Sequence, residues 1–273
     1  MIKKLYPNGK TKAFNVTYDD GVLQDAEFIG ILNKYGIKGT FNLNSQLMID
    51  QFAWFHDCGM VVKRLSIEMA QGIYDGHEIA SHTLTHPNMQ GMSAEQILRE
   101  MSQDKDNLEN IFGTKILGFA VPFNYYSDLI AECAKIVGFE YARISDMSGG
   151  YTPCEDEYFW KAGIFHLSPE LESYIDVFLE TNEELALAQI VGHTYDFDAE
   201  RNWDRMETLL AKVAADEHIW FATHLELVRY LKTMKMTEVT DEYIQNNGSM
   251  DVWFDIHGNI HCIKPGEKVL LEV

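Results

Sequence analysis

Three short segments carry side chains able to bind a metal or move a proton: Thr17-Tyr18-Asp19-Asp20-Gly21, Ser81-His82-Thr83-Leu84-Thr85-His86-Pro87 and Ile190-Val191-Gly192-His193. In the first, the apolar run Phe14 to Tyr18 enters two adjacent carboxylates and a glycine. Adjacent side chains leave such a strand exit in different directions, so one carboxylate can take a cation while the other faces a water. An isolated Asp-Asp-Gly also suits a turn whose aspartate caps the next helix. In the second segment His82 and His86 stand four residues apart, a spacing that brings both imidazoles to one side and suits two ligands of one divalent ion. Pro87 disfavours the α conformation at His86, which places the pair on a loop or short turn. Joined to a carboxylate from another strand end, the pair makes a His, His, Asp set with positions open to water and substrate, as a catalytic site requires. His193 has no second histidine at ligand spacing. A lone histidine is commonly structural, but its place at a third strand end fits a general acid.

These segments need strands to hold them. Short apolar runs alternate with amphipathic stretches, the pattern of β/α units around a parallel sheet or barrel. The expected strands are Phe14 to Tyr18, Gly39 to Leu43, His77 to Ser81, Leu117 to Val121, Phe139 to Arg143, Ala188 to Gly192 and His218 to Ala222. All three chemical segments lie at or just past C-terminal strand ends, where parallel α/β folds collect functional groups. Phe28, Ile31, Leu32 and Tyr35 recur at helical spacing before Gly36. Ser93 with Gln96 forms a capping box for a helix that stops at Gly113. Further helices are expected over Ser127 to Val137, Trp203 to Ala215 and Leu225 to Lys232. The aromatic-rich segment Gly149 to Glu172 reads as an irregular loop near the mouth of the fold. Residues 1–235 are read as the main domain and 236–273 as a small β appendage, because Val252 to Ile256 and Ile260 to Ile263 flank a Gly-containing turn.

Together, and in this order, the three segments resemble the polysaccharide deacetylase family, metal-dependent carbohydrate esterases of family 4 that share the NodB homology domain. The resemblance runs over roughly residues 14 to 230 and is most specific in the His82 to Pro87 motif. It implies an α/β fold, a deformed (β/α) barrel of about seven parallel strands. It also implies Asp19 as general base, Asp20, His82 and His86 as ligands of one divalent metal, and His193 as general acid. Zinc is the default metal, with cobalt, nickel, iron or manganese able to use the same set. The family's R-x-P-[YF] motif, whose arginine holds the catalytic aspartate, reads Ala120-Val121-Pro122-Phe123 here. Pro122 and Phe123 remain, and the Phe123 N–H is assigned to oxyanion binding. Arg143, at the end of the next expected strand, is the candidate replacement for the missing arginine, against a plain surface pairing with Asp146 or Glu140.

Composition narrows the partners. Asp and Glu outnumber Lys and Arg by 42 to 22, a formal net charge of −20 that repels nucleic acid and anionic membrane surfaces. The four cysteines, Cys58, Cys133, Cys154 and Cys262, form no C-x-x-C pair and read as reduced thiols. No apolar run of signal-peptide or membrane-span length is seen, which predicts a cytoplasmic protein. The expected activity is hydrolytic removal of acetyl groups from an N- or O-acetylated carbohydrate, with an acetylated oligosaccharide or small acylated metabolite as partner. Opening of a cyclic amide or ureide, as in allantoinase-like relatives of the same fold, is one alternative. A catalytically impaired metal- and sugar-binding protein is another. Tyr125, Tyr126, Tyr151, Phe159 and Trp160 are candidates for stacking on sugar rings or for packing, and Trp253, Phe254 and Ile256 for an oligomer contact or packing on the parent fold.

Overall fold

The computed structural model describes residues 2–50, 52–145 and 150–271. Nine parallel strands among them make one sheet, numbered β1 (Lys12–Asp19), β2 (Gly39–Leu43), β3 (Glu78–Ser81), β4 (Gly118–Ala120), β5 (Tyr141–Ser145), β6 (Trp160–Ala162), β7 (Ile164–Phe165), β8 (Ala186–Gly192) and β9 (Ile219–Phe221). Eight follow one another in the order β7, β8, β1, β2, β3, β4, β5, β6, and β9 pairs with the first residues of β1. The two edge strands are consecutive in the chain. β6 pairs with β5 and β7 with β8, so a single bent segment spans the gap and nearly closes a deformed barrel. Gly163 makes the bend, since a Cβ there would stand 2.3 Å from the Gln189 carbonyl oxygen.

β6 and β7 fall in the stretch Gly149 to Glu172 read from sequence as an irregular loop, of which Gly149 lies outside the described residues. Strands of three and two residues broken by a glycine offer no alternation to recognise. The seven expected strands are all present, Gly39–Leu43 with the expected bounds and the others with shifted ends. Every residue of β1 and β8 is buried, because helices cover the outer face and side chains fill the interior. That interior is partly polar and internally satisfied. Trp160 Nε1 donates to Gln189 Oε1 at 2.7 Å, Gln189 Nε2 to Asn15 Oδ1 at 3.1 Å, and Asn15 Nδ2 to the Ala222 carbonyl at 2.9 Å.

The helices that bear on the site are α1 (Asp25–Lys34), α2 (Ala94–Phe112), α3 (Asp128–Val137), α4 (Leu171–Glu180), α5 (Tyr195–Glu200), α6 (Trp203–Ala214) and α7 (His224–Met236). α2 has the Ser93–Gln96 capping box and a left-handed Gly113. Below the barrel, Val252–Ile256 and Asn259–Ile263 form a hairpin around His257-Gly258, and Ile2–Leu5 pairs antiparallel with its first strand. The N-terminal strand and the hairpin therefore build one small sheet, while Glu238–Val239, Tyr243–Gln245 and Lys268–Leu270 form a second. Phe254 is fully buried in the same apolar cluster as Tyr6 and Tyr230, so its contact is with its own chain. Among the described residues no helix is long and apolar enough to cross a membrane.

Candidate active site

Three strand ends deliver the chemical residues to the top of the barrel. β1 ends at Asp19, and the chain then turns through positive φ at Asp20 (88°) and Gly21 (64°). Aspartate tolerates the left-handed region better than most residues, and a Cβ on Gly21 would meet Leu43 Cδ2 at 2.8 Å. The turn separates the two carboxylates, as two adjacent carboxylates at a strand exit require. The loop after β3 carries His82 and His86 and is also strained, with Thr83 at φ 70° and His86 at φ 56°. Buried and half-buried side chains hold it there. Asp104 of α2 accepts from Ser81 Oγ at 2.6 Å and from the Ser45 N–H at 2.7 Å; Asn44 Nδ2 donates to the carbonyls of His82 and Thr83; Glu100 accepts from the Thr85 N–H at 2.9 Å.

Asp19 and Asp20 have separate cationic partners. Asp19 Oδ1 accepts from Arg143 Nη2 and, at 2.8 Å, from Asn42 Nδ2, while its Oδ2 lies 4.0 Å from His82 Nε2. Burial works against ionisation of Asp19, but Arg143, with His82 and His193 nearby, holds its carboxyl below the usual range. Arg143 is 1% exposed and also reaches Thr17 Oγ1 at 3.4 Å. Its Cα partner across the β4–β5 ladder is Ala120, the position at which the family motif carries arginine. A guanidinium thus reaches Asp19 from the strand next to Ala120, at the same height of the barrel. Glu140, one of the alternative partners considered for it, pairs instead with Arg229. Asp146, the other, lies outside the described residues.

Asp20, His82 and His86 each present a ligand atom, all within 4.8 Å of one another. His82 Nδ1 faces the Ala120 carbonyl at 2.9 Å, which fixes that nitrogen as the donor and leaves Nε2 towards the cluster. Burial pushes His82 down to about 4 and lowers His86 as well, so both imidazoles are neutral at physiological pH. Burial opposes ionisation of Asp20, and Arg64 together with the surrounding histidines overcomes it. Two neutral imidazoles and an ionised carboxylate are the protonation states that metal ligation requires, so the residues fit a divalent cation.

His193 is half-buried and its Nδ1 lies 3.2 Å from Asp196 Oδ2. The same oxygen lies 3.1 Å from His166 Nε2, and His166 Nδ1 is 3.1 Å from the Tyr18 hydroxyl. Burial disfavours the imidazolium of His193, but the Asp196 hydrogen bond and the charges of Asp20 and Asp19 raise its pKa. Tyr195 stacks on its ring at 5.0 Å and 13°. Phe123, in the short turn Pro122–Asn124, has φ 55° and places its ring 4.7 Å from that of His86. Asp19, Asp20, His82, His86, Pro122, Phe123, Arg143 and His193 therefore gather at one end of the barrel.

Sequence reasoning missed Arg64, Asn42, Asp196 and His166. Asp196 was accessible in principle, since it stands three residues after His193 on one helical turn. Arg64 carried no signal, because the loop that brings it to Asp20 has no motif. Of the aromatic candidates, Trp160 is buried in the barrel, while Tyr125, Tyr126, Tyr151 and Phe159 are partly buried against the core, with Tyr126 4.2 Å from Phe159 and Tyr151 beside Tyr174 and Phe178.

Residues 7–142, about half of the chain, match the polysaccharide deacetylase family model. Curated relatives include a chitin deacetylase of Pestalotiopsis sp, 33% identical over 101 residues, 37% of this chain and 30% of that protein. A peptidoglycan-N-acetylmuramic acid deacetylase of Bacillus subtilis is 25% identical over 136 residues, 49% of this chain and 46% of its own. The chain thus spans less than half the length of these relatives. Among solved structures, an acetyl xylan esterase of Clostridium thermocellum with a cobalt ion superposes with TM-score 0.54 at 17% identity, covering 81% of this chain and 91% of that one. A family 4 pseudoenzyme of Bacillus anthracis does so with TM-score 0.54 at 16% identity, covering 83% and 68%. At these identities the structures speak for the fold, the same deformed barrel. With the family model matched over the strands that carry Asp19, Asp20, His82 and His86, the chain belongs to the polysaccharide deacetylase family.

Proposed function

We propose that this protein is a metal-dependent hydrolase that removes acetyl groups from an N- or O-acetylated carbohydrate of oligosaccharide size or from a small acylated metabolite. The observation that carries the reading is a ligand cluster with a buried ionised carboxylate, Asp19, on one side and an imidazole of raised basicity, His193, close by. Asp20, His82 and His86 would hold a divalent cation, zinc by default, which when bound would offer Lewis acidity to the carbonyl and a lowered pKa to water. Asp19 Oδ2, the oxygen not taken by Arg143 and Asn42, removes a proton from the attacking water as its oxygen bonds to the acyl carbon. The Phe123 N–H donates to the oxygen on which negative charge develops. His193, oriented through Nδ1 by Asp196, gives its Nε2 proton to the leaving nitrogen or oxygen as that bond breaks. The products are acetate and a free amine or alcohol.

Acetate release from N- and O-acetylated oligosaccharides by zinc- and cobalt-loaded protein tests the reading, with metal content measured in two variants. His193→Ala is expected to lose about 10²–10⁴ in rate while retaining metal, and His82→Ala to lose both. Equal metal loss in the two variants contradicts the assigned roles, and a metal-loaded protein inert on every acetylated sugar sinks the carbohydrate reading.

A further inference from the structure

We propose that the Arg64 guanidinium is a built-in counter-ion of Asp20, standing on the carboxylate oxygen that a divalent cation would use and weakening the site's hold on that cation. The inference rests on reading Asp20, His82 and His86 as ligands. Arg64 Nη2 donates to Asp20 Oδ1 at 2.9 Å, and that same oxygen lies 3.6 Å from His86 Nε2. Nη1 donates to the Asp20 carbonyl and, at 2.7 Å, to Asn44 Oδ1. The arginine thus holds both the backbone and the side chain of one candidate ligand.

The local fold leaves Arg64 nowhere else to go. It follows the strand Val61–Lys63, the return arm of a hairpin with Ala53–Phe55 inserted between β2 and β3. A β-bridge between Arg64 and Val22, and the Leu65 N–H donating to the Gly21 carbonyl at 2.9 Å, tie that arm to the turn that carries Asp20. Its guanidinium lies 5.2 Å from the Trp54 ring centroid and 6.0 Å from that of Phe52, and the side chain is 4% exposed. A charge fixed this far from solvent is poorly screened. A cation approaching Asp20 therefore meets a carboxylate already neutralised and a guanidinium that repels it. Release of the metal is correspondingly easier, and the metal-free protein is stabilised in its folded form.

Zinc and cobalt titrations of chelator-treated wild type, Arg64→Gln and Arg64→Lys, read by calorimetry and by competition with a chromophoric chelator, test this. Arg64→Gln is expected to bind at least tenfold more tightly, and Arg64→Lys, which keeps the charge, to stay within about threefold of wild type. Unchanged or weaker binding by a folded Arg64→Gln overturns the inference. If that variant does not fold, nitrogen-15 spectra of the wild-type arginine side chains decide. Saturating zinc should shift or broaden the Arg64 Nη resonances, and an unperturbed Arg64 refutes the counter-ion role. Wild type that binds metal while Arg64→Gln shows no gain fails the inference alone, whereas no binding by either protein fails the ligand reading and the inference with it.

Discussion

Removing Arg143 should damage both stability and turnover, and restoring arginine one strand away should repair part of each. Asp19 and Arg143 are 6% and 1% exposed, so the Arg143→Met variant keeps most of the volume but leaves a carboxylate buried without its cation. Breaking a buried pair from one side costs about 3–5 kcal/mol. At about 2–4 °C per kcal/mol for a chain of this size, the melting midpoint should fall by about 6–20 °C. Asn42 still donates to Asp19 Oδ1, which argues for the lower half of that range. If Asp19 is the base as proposed, turnover should fall by about 10²–10⁴, because it loses the group that orients it and keeps it ionised. Ala120 and Arg143 are register partners on β4 and β5, and their side chains leave the sheet on the same side. Arg143→Met frees space beside Ala120, so the double variant with Ala120→Arg should regain at least half of the lost midpoint and part of the lost rate. Thermal melts followed by circular dichroism, with chelator present so that metal does not contribute, read the stability arm without knowledge of the substrate. A single variant that melts like the wild type, or a double variant that is worse than the single, refutes the claim that a guanidinium can serve Asp19 from either strand.

Other outcomes follow from the buried titrating groups. Asp196→Asn takes from His193 the partner that raises its pKa, so the limb on which kcat declines with rising pH should move to lower pH, with little change in metal content; an unmoved limb removes Asp196 from the acid's control. Glu78, at the opposite end of β3, accepts from Thr40 Oγ1, the Tyr141 hydroxyl and the Leu225 N–H, yet burial pushes its carboxyl up to about 6. A raised folded-state pKa contributes stability that is fully present below the unfolded value and is lost as pH rises through about 6. Over that window Glu78→Gln should lose about 2 kcal/mol less than wild type in urea melts, and parallel pH profiles for the two proteins would count against a strained carboxyl there.

β1, β2 and β8 were legible because a strand buried on both faces is rich in apolar residues, even with Asn15, Asn42 and Gln189 among them, and the helices announced themselves through Ser93, Gly113 and Gly138 at their caps. The same strand exits exposed Asp19, Asp20, His82, His86 and His193, since functional groups on a barrel follow the ends of its strands. What stayed hidden depends on contacts between distant segments. β6 and β7 are too short to show a period and exist only because β5 and β8 offer them partners. Arg143 was a candidate from sequence, but its pairing with Asp19 follows from sheet register, which places it beside Ala120. Arg64 reaches Asp20 through a hairpin pinned by one bridge to Val22, 42 positions earlier in the chain, and no local pattern encodes that encounter. Residue type and spacing alone determined the chemistry on offer and the kind of scaffold that must carry it. Which cation stands on which carboxylate was decided only by tertiary packing, because a buried charge takes the partner that folding brings within reach.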